Sequence, residues 1–197
     1  TYTSTGNPLP AYVSGAGGLA LSATRTFTIN DSASVGASAP ELTVAVPITG
    51  SFGITKTGFG NLLLSGANTF SGDVTTLTAG GLILDYTTQN NSKISGVNSL
   101  ALNGGGNLTL LGNASADTSQ TVFATTLASG GFSTMRLTPG GSQKILLNLG
   151  AFTRATSAGT IRFSLPAGAQ DATNGFRTTT TNVNGILGGW ATATNVS

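Results

Sequence analysis

The chain contains no cysteine and no histidine, and charge is nearly as scarce. Among 197 residues there are eight Lys or Arg and six acids, with Glu41 the sole glutamate. Met135 and Trp190 are single representatives of their kinds. Each shortage excludes something. Without His or Cys there is no Ser-His-Asp or Cys-His nucleophile, no thiol redox chemistry, no disulfide scaffold and none of the usual zinc sites. No apolar run approaches the roughly 20 residues that cross a bilayer as a helix, so no membrane span is expected in this chain. No basic-then-apolar leader opens the sequence, so the chain reads as mature or as excised from something longer. The basic residues stand singly from Arg25 to Arg177, with no run and no interleaved aromatics. The pI of about 9.3 therefore reflects two surplus charges among few titrating groups, and no nucleic-acid partner is expected.

What is present is small and polar. Gly fills 29 positions, Thr 33, Ser 20 and Asn 15, nearly half of the chain. A hydrophobic share of 39%, spread along the whole length, is enough for a single-domain core. The Thr, Ser and Asn bias with little charge suggests an exported surface protein. Five Asn-x-Ser/Thr triplets begin at Asn30, Asn90, Asn107, Asn113 and Asn195, but such triplets arise readily by chance in this composition.

Gly interrupts nearly every window in which a helix would form. Short runs of Leu, Ile, Val, Phe and Thr alternate instead with Gly and Asn. Expected strands are 19–21, 26–29, 42–46, 54–56, 62–64, 74–78, 82–84, 100–102, 108–111, 122–127, 134–137, 145–149, 161–165 and 186–190. Their spacing carries the architecture. Gly60-Asn61-Leu62-Leu63-Leu64-Ser65-Gly66 returns as Gly80-Gly81-Leu82-Ile83-Leu84-Asp85. It returns again, after a similar interval, as Asn98-Ser99-Leu100-Ala101-Leu102-Asn103-Gly104. Leu-x-Leu puts both leucines on one strand face. A period of about 20 residues is what one turn of a coiled parallel sheet requires, and stacked turns bury their leucines on one another. Beyond Asn113 the intervals look irregular. Arg136 and Arg162, each between apolar neighbours, belong on an outward face, and 178–181 is an exposed edge strand or a linker. Residues 1–18 read as an extended segment, 19–190 as one solenoid (repeat-like over 53–113, less regular over 114–190), and 191–197 as a tail. Trp190 is expected to cap the core rather than to serve as a ligand platform.

The segment Gly53-Ile54-Thr55-Lys56-Thr57-Gly58-Phe59-Gly60-Asn61-Leu62-Leu63-Leu64-Ser65-Gly66-Ala67-Asn68-Thr69-Phe70-Ser71-Gly72, running on through Val74-Thr75 to Ala79-Gly80-Gly81-Leu82-Ile83-Leu84, resembles the autotransporter-associated β-strand repeat, also called the passenger-associated transport repeat. Ile54, Phe70, Asp73 and Gly81 depart from that family's pattern, where Leu, Tyr, Gly and Thr stand. Arg25–Asn30 followed by Leu42-Thr43-Val44 is similar to the lead-in strands of such repeats, and Gly175–Trp190 to a segment of large surface proteins that carry them. The resemblance covers about a sixth of the chain. It implies an all-β, right-handed parallel β-helix in bacterial extracellular or outer-surface proteins, with roles in secretion, adhesion and surface structure. The family's C-terminal membrane barrel has no counterpart in 191–197, and one clear copy of the repeat is present where many are common.

Parallel β-helices also host polysaccharide lyases and hydrolases, so the carboxylates are candidates for a catalytic pair. They are Asp31, Glu41, Asp73, Asp85, Asp117 and Asp171, with Asp73 and Asp85 on neighbouring strand ends. Asp73 has an ordinary role open to it, bonding local backbone N–H groups in a turn. Gly104-Gly105-Gly106 leads into Asn107-Leu108 without the acid of a calcium β-roll. Gly58-Phe59-Gly60 and Gly15-Ala16-Gly17-Gly18 lack the helix and lysine of a phosphate loop. Lys56 belongs to the repeat, and Lys144 has no Ser three residues before it. Asn68 reads as a turn residue bonded to backbone, with Phe70 in the core, ahead of a ligand contact.

No catalytic, cofactor-binding or metal-binding residue is therefore assigned. The expectation is a non-enzymatic structural or adhesive β-solenoid that self-assembles into filaments, its partners being copies of itself, adjoining repeats of a longer chain, and surface glycans. The alternatives are a carbohydrate-active enzyme and a glycan-binding module on the same fold, the latter with Tyr86 as its test residue.

Overall fold

In a computed structural model the described residues are 10–32, 36, 39–128, 130–157, 159–182 and 187–195. They contain no helix, and their strands pair in parallel. The first coil holds β1 (Ala11–Val13), β2 (Leu19–Ala20) and β3 (Arg25–Thr28). The second holds β4 (Leu42–Val44), β5 (Ile48–Thr49) and β6 (Ile54–Thr57). The next two carry two strands each, β7 (Asn61–Leu64) with β8 (Val74–Leu77), then β9 (Gly81–Asp85) with β10 (Ser99–Leu102). The fifth has β11 (Asn107–Leu111), β12 (Thr118–Thr121) and β13 (Ala124–Leu127). The sixth has β14 (Phe132–Thr138), β15 (Ile145–Asn148) and β16 (Ala151–Arg154). The chain ends with β17 (Thr160–Leu165), β18 (Gly175–Arg177) and β19 (Ala191–Asn195).

These strands stack as a β-solenoid of about six turns with three faces. The first face is an eight-stranded sheet, β1-β4-β7-β9-β11-β14-β17-β19. The third is a six-stranded sheet, β3-β6-β8-β10-β13-β16. The second is interrupted: β2-β5 and β12-β15-β18 form separate sheets, and the two coils between them put no strand there.

Period-two burial builds the core. On the first face Leu42, Leu62, Leu82, Leu108, Met135 and Phe163 pair in register to form one inward column. Val44, Leu64, Leu84, Leu110 and Leu137 form a second. All of these are buried. Each such side chain contributes about 1.5–3 kcal/mol when removed from water. A single coil has nothing above or below to cover it, so this energy is available only to the stack. Arg136 and Arg162 point outward and are exposed, as their apolar neighbours require.

The step between coils corrects the expected period. Leu62 meets Leu82, the step that the repeat predicts. Leu82, however, meets Leu108, and Leu100 and Leu102 pair with Val74 and Leu77 on the third face. The supposed third copy, 98–104, is thus a different side of the same coil as 80–85. Leu-x-Leu marks any inward-facing strand, whichever face it belongs to. From Leu82 onward the column runs to Leu108, Met135 and Phe163 in steps that are longer than the first and nearly equal to one another. The half expected to be less regular is in fact evenly coiled.

Several strands lacked an apolar signature. In β12, Thr-Ser-Gln-Thr, the inward places are filled by Thr118 and Gln120, both buried. Residues 191–195, read as tail, form β19 and pair with β17. Of the expected strand 186–190, Ile186 lies outside the described residues and 187–190 is a turn. Trp190 at that turn stacks on Phe152, with ring centroids 5.5 Å apart, and packs against the last core residues. In the expected extended segment 1–18, residues 1–9 lie outside the description and 11–13 pair with β4. Residues 178–181 form no strand; Thr180 Oγ1 instead accepts from Phe152 N at the rim of the third face.

Candidate functional site

Where the second face is interrupted, side chains replace the missing ladder. Asn68 is buried between coils: its Oδ1 accepts from Ile48 N at 2.9 Å, and its Nδ2 donates to Lys93 O at 3.2 Å. Gln120 does the same from the other side. Its Oε1 accepts from Lys93 N, Ile94 N and the Tyr86 hydroxyl at 3.0, 3.2 and 2.5 Å. Its Nε2 donates to Ile94 O and Thr121 O. Phe70 is fully buried beside them, so the structural role expected for Asn68 and Phe70 is the one observed. Tyr86, singled out from sequence as a glycan-binding residue, is fully buried and turns its hydroxyl inward, which removes it as a surface platform.

Two lysines are also enclosed. Lys93 Nζ donates to Ser65 O, Gln89 O, Asn91 Oδ1 and Gly66 O, between 2.8 and 3.3 Å, and lies 5.3 Å from the Tyr86 ring centroid. Lys56 Nζ donates to Gly58 O at 2.6 Å and Ala79 O at 2.9 Å, joining the corners of two successive coils. Burial lowers both amines to about 8, opposed by Asp85 for Lys93 and by Glu41 for Lys56. Burial also pushes the Tyr86 phenol up, against a smaller opposing effect of its backbone bond with Lys93. An amine caged by carbonyl oxygens holds chain corners together and is closed to an incoming electrophile.

The acids are distributed over separate tasks. Asp73 Oδ1 accepts from Ser99 N at 2.7 Å in the next coil, which corrects the local turn role expected for it. Asp85 closes a local turn with Thr87 N and Oγ1. Glu41 is buried and accepts from Asn61 N, while Asp31 is exposed. Asp117 and Asp171 belong to a vertical column of polar residues on successive coils. Asn90 Nδ2 donates to Asp117 O, Asp117 Oδ1 accepts from Lys144 N, and Lys144 Nζ reaches Asp171 Oδ2 at 3.4 Å. Hydrogen bonds from Thr173, and then Lys144, hold the exposed Asp171 carboxyl at about 2. Asp73 and Asp85 sit on different sheets, at the start of β8 and the end of β9. No group of three or more Asp or Glu side chains suited to a metal ion forms among the described residues.

A groove of about 360 Å³ lies at the corner between the second and third faces. It runs along the stack through Gly96, Thr121–Phe123, Asn148, Gly150 and Arg177–Thr179. Gly150, at φ 59°, has no room for a Cβ, which would overlap the Phe123 carbonyl oxygen. The Phe123 ring, which also lines the groove, is 68% exposed. Sequence reasoning missed this groove because its parts lie on four coils, each a full turn of chain from the next. The available signal was the constant interval, 27 positions at each step, that separates Asn90, Asp117, Lys144 and Asp171.

The chain matches no protein-family model, no curated protein and no solved structure.

Proposed function

We propose that the chain is a non-enzymatic structural or adhesive β-solenoid of an exported bacterial surface protein, one whose repeat belongs with the autotransporter-associated β-strand repeats. The observation that carries this reading is the work done by the repeat's own conspicuous residues. Lys56 ties two corners, Asn68 bonds the coils on either side, Phe70 fills the core, and Leu62 and Leu64 stack on Leu82 and Leu84. A motif whose buried polar members, Lys56 and Asn68, both hold coil to coil is a motif for building length. Thr and Ser on the outward positions with few charges suit an exposed surface. The test is external proteolysis of intact cells of the source bacterium. The chain should be found on the surface or in the medium and be cleaved or shed there; retention inside the cells contradicts the reading.

A glycan-binding role has one specific observation in its favour, the Phe123 groove. An exposed ring offers a stacking face to a sugar, and Thr121, Asn148 and Arg177 flank it with polar groups. On a glycan array, Phe123→Ala should weaken binding at least about tenfold, a change of about 1.4 kcal/mol. A blank array for the unmodified chain ends this role. Release of reducing ends from any polysaccharide by the purified chain would instead establish the enzyme alternative.

A further inference from the structure

We infer that the groove at the Phe123 corner takes an acidic oligosaccharide along the solenoid axis, with a sugar ring on Phe123 and a uronate carboxylate on Arg177. The inference rests on the glycan-binding role above and names the class of glycan and its direction.

Strand pairing lines the groove with two rows. Thr121 pairs with Asn148 and Asn148 with Arg177, so three outward polar side chains stand one above another on successive coils. Phe123 starts the second row, and Gly150 and Thr179 follow it on the next two coils. Val122 and Thr178 lie between the rows. Asn148 Nδ2 donates to Thr121 Oγ1 at 3.2 Å. That bond leaves the Asn148 carbonyl oxygen to accept, and the Thr121 hydroxyl hydrogen to donate, where a ligand's hydroxyl groups would lie.

The charge in the groove is of one sign. Among the described residues that line it, Arg177 alone is charged. Other arginines are engaged elsewhere: Arg25 donates to Ser22 Oγ, Arg154 lies over the Trp190 ring and Arg162 over the Phe132 ring. Asp117 and Asp171 stand at the opposite corner of the second face, where Asp171 pairs with Lys144. An exposed guanidinium with no carboxylate beside it offers two parallel N–H groups to a planar anion of that kind. Phe123 and Arg177 are two coils apart, about 10 Å along the axis, which asks for two or more linked sugars. A sugar ring brings an apolar face for Phe123 and hydroxyls for Thr121 and Asn148. An acidic peptide does not combine these in one unit.

Titration calorimetry on the purified chain tests this, with a tetrasaccharide of glucuronic acid, its uncharged methyl ester, and tetraglutamate as probes. The acid should bind. Arg177→Gln should weaken it at least about tenfold and leave the ester unchanged, while Phe123→Ala should weaken both. Both residues are exposed, and circular dichroism checks that the variants fold. Monomeric glucuronate should bind at least about tenfold less tightly than the tetrasaccharide. If acid and ester bind alike and Arg177→Gln alters neither, the inference falls and the glycan-binding role stands. If tetraglutamate binds as tightly as the acidic sugar, the groove takes acidic peptide and the inference falls. If no sugar binds, inference and glycan role fall together, and the surface-scaffold reading is left to the proteolysis of intact cells.

Discussion

At the scale of single residues, the polar atoms inside the solenoid matter alongside the apolar ones. A leucine in an inward column touches equivalents above and below, and trimming it to alanine costs its transfer term plus that of the cavity left, about 2–5 kcal/mol. Gln120 serves three donors at once, so its removal strands all of them. Burying an unpaired donor costs about 1–3 kcal/mol, and Gln120→Ala should therefore lower unfolding free energy by at least about 3 kcal/mol. Ser119→Ala, one position away and exposed, should stay within about 0.5 kcal/mol, both read from urea denaturation. The pH course of stability follows from the caged amines. Lys56 and Lys93 titrate near 8 in the fold and at 10.5 in the unfolded chain, so the unfolded chain binds more protons between those values. Stability rises with pH across that window. Tyr86 acts in the opposite sense. Its phenol ionises at 10 when unfolded and higher when folded, so stability falls once pH passes 10. The urea midpoint should climb from pH 8 to about 10 and then turn down; a steady fall from pH 7 to 10 contradicts the account. Asn68 was legible in the sequence because it sits in a recognisable pattern. Gln120 was not, because nothing in Thr-Ser-Gln-Thr announces that its glutamine points inward.

At the scale of elements, corners matter as much as strands. Successive coils pass so closely at several turns that a single Cβ would strike backbone. Gly150→Ala combines that clash with a positive φ, and should destabilise by about 1–3 kcal/mol or more. Gly189→Ala, which meets open space, should change little by the same denaturation measurement. The strands themselves were largely readable, since β4, β7, β9, β10, β11, β15 and β17 all bury Leu, Ile, Val or Phe. What was misread was which face each belonged to. Leu82 and Leu100 look alike in sequence because both point inward, yet one faces β11 and the other β13. The coil length appears in the polar ladder instead, where a residue must meet its partner one full turn away. Thr126 meets Thr153 at 3.1 Å, 27 positions on, and Thr180 follows at the rim after the same interval. Strands without apolar content, β12 and β19, were invisible because backbone pairing with an existing edge holds them.

At the scale of the whole molecule, the inward columns of the first face run through successive coils from Leu42 to Phe163. Low charge, first an inventory of missing chemistries, becomes at this scale a scarcity of like-charge repulsion between stacked coils. The central claim is that buried polar side chains take the place of the missing ladder on the second face, and amide hydrogen exchange of the purified chain tests it most directly. If Gln120 bonds the Lys93 and Ile94 amides as described, those two amides exchange as slowly as Leu82 and Leu108 in the strands. If they exchange as fast as exposed turn amides, the account of side chains holding coil to coil is wrong.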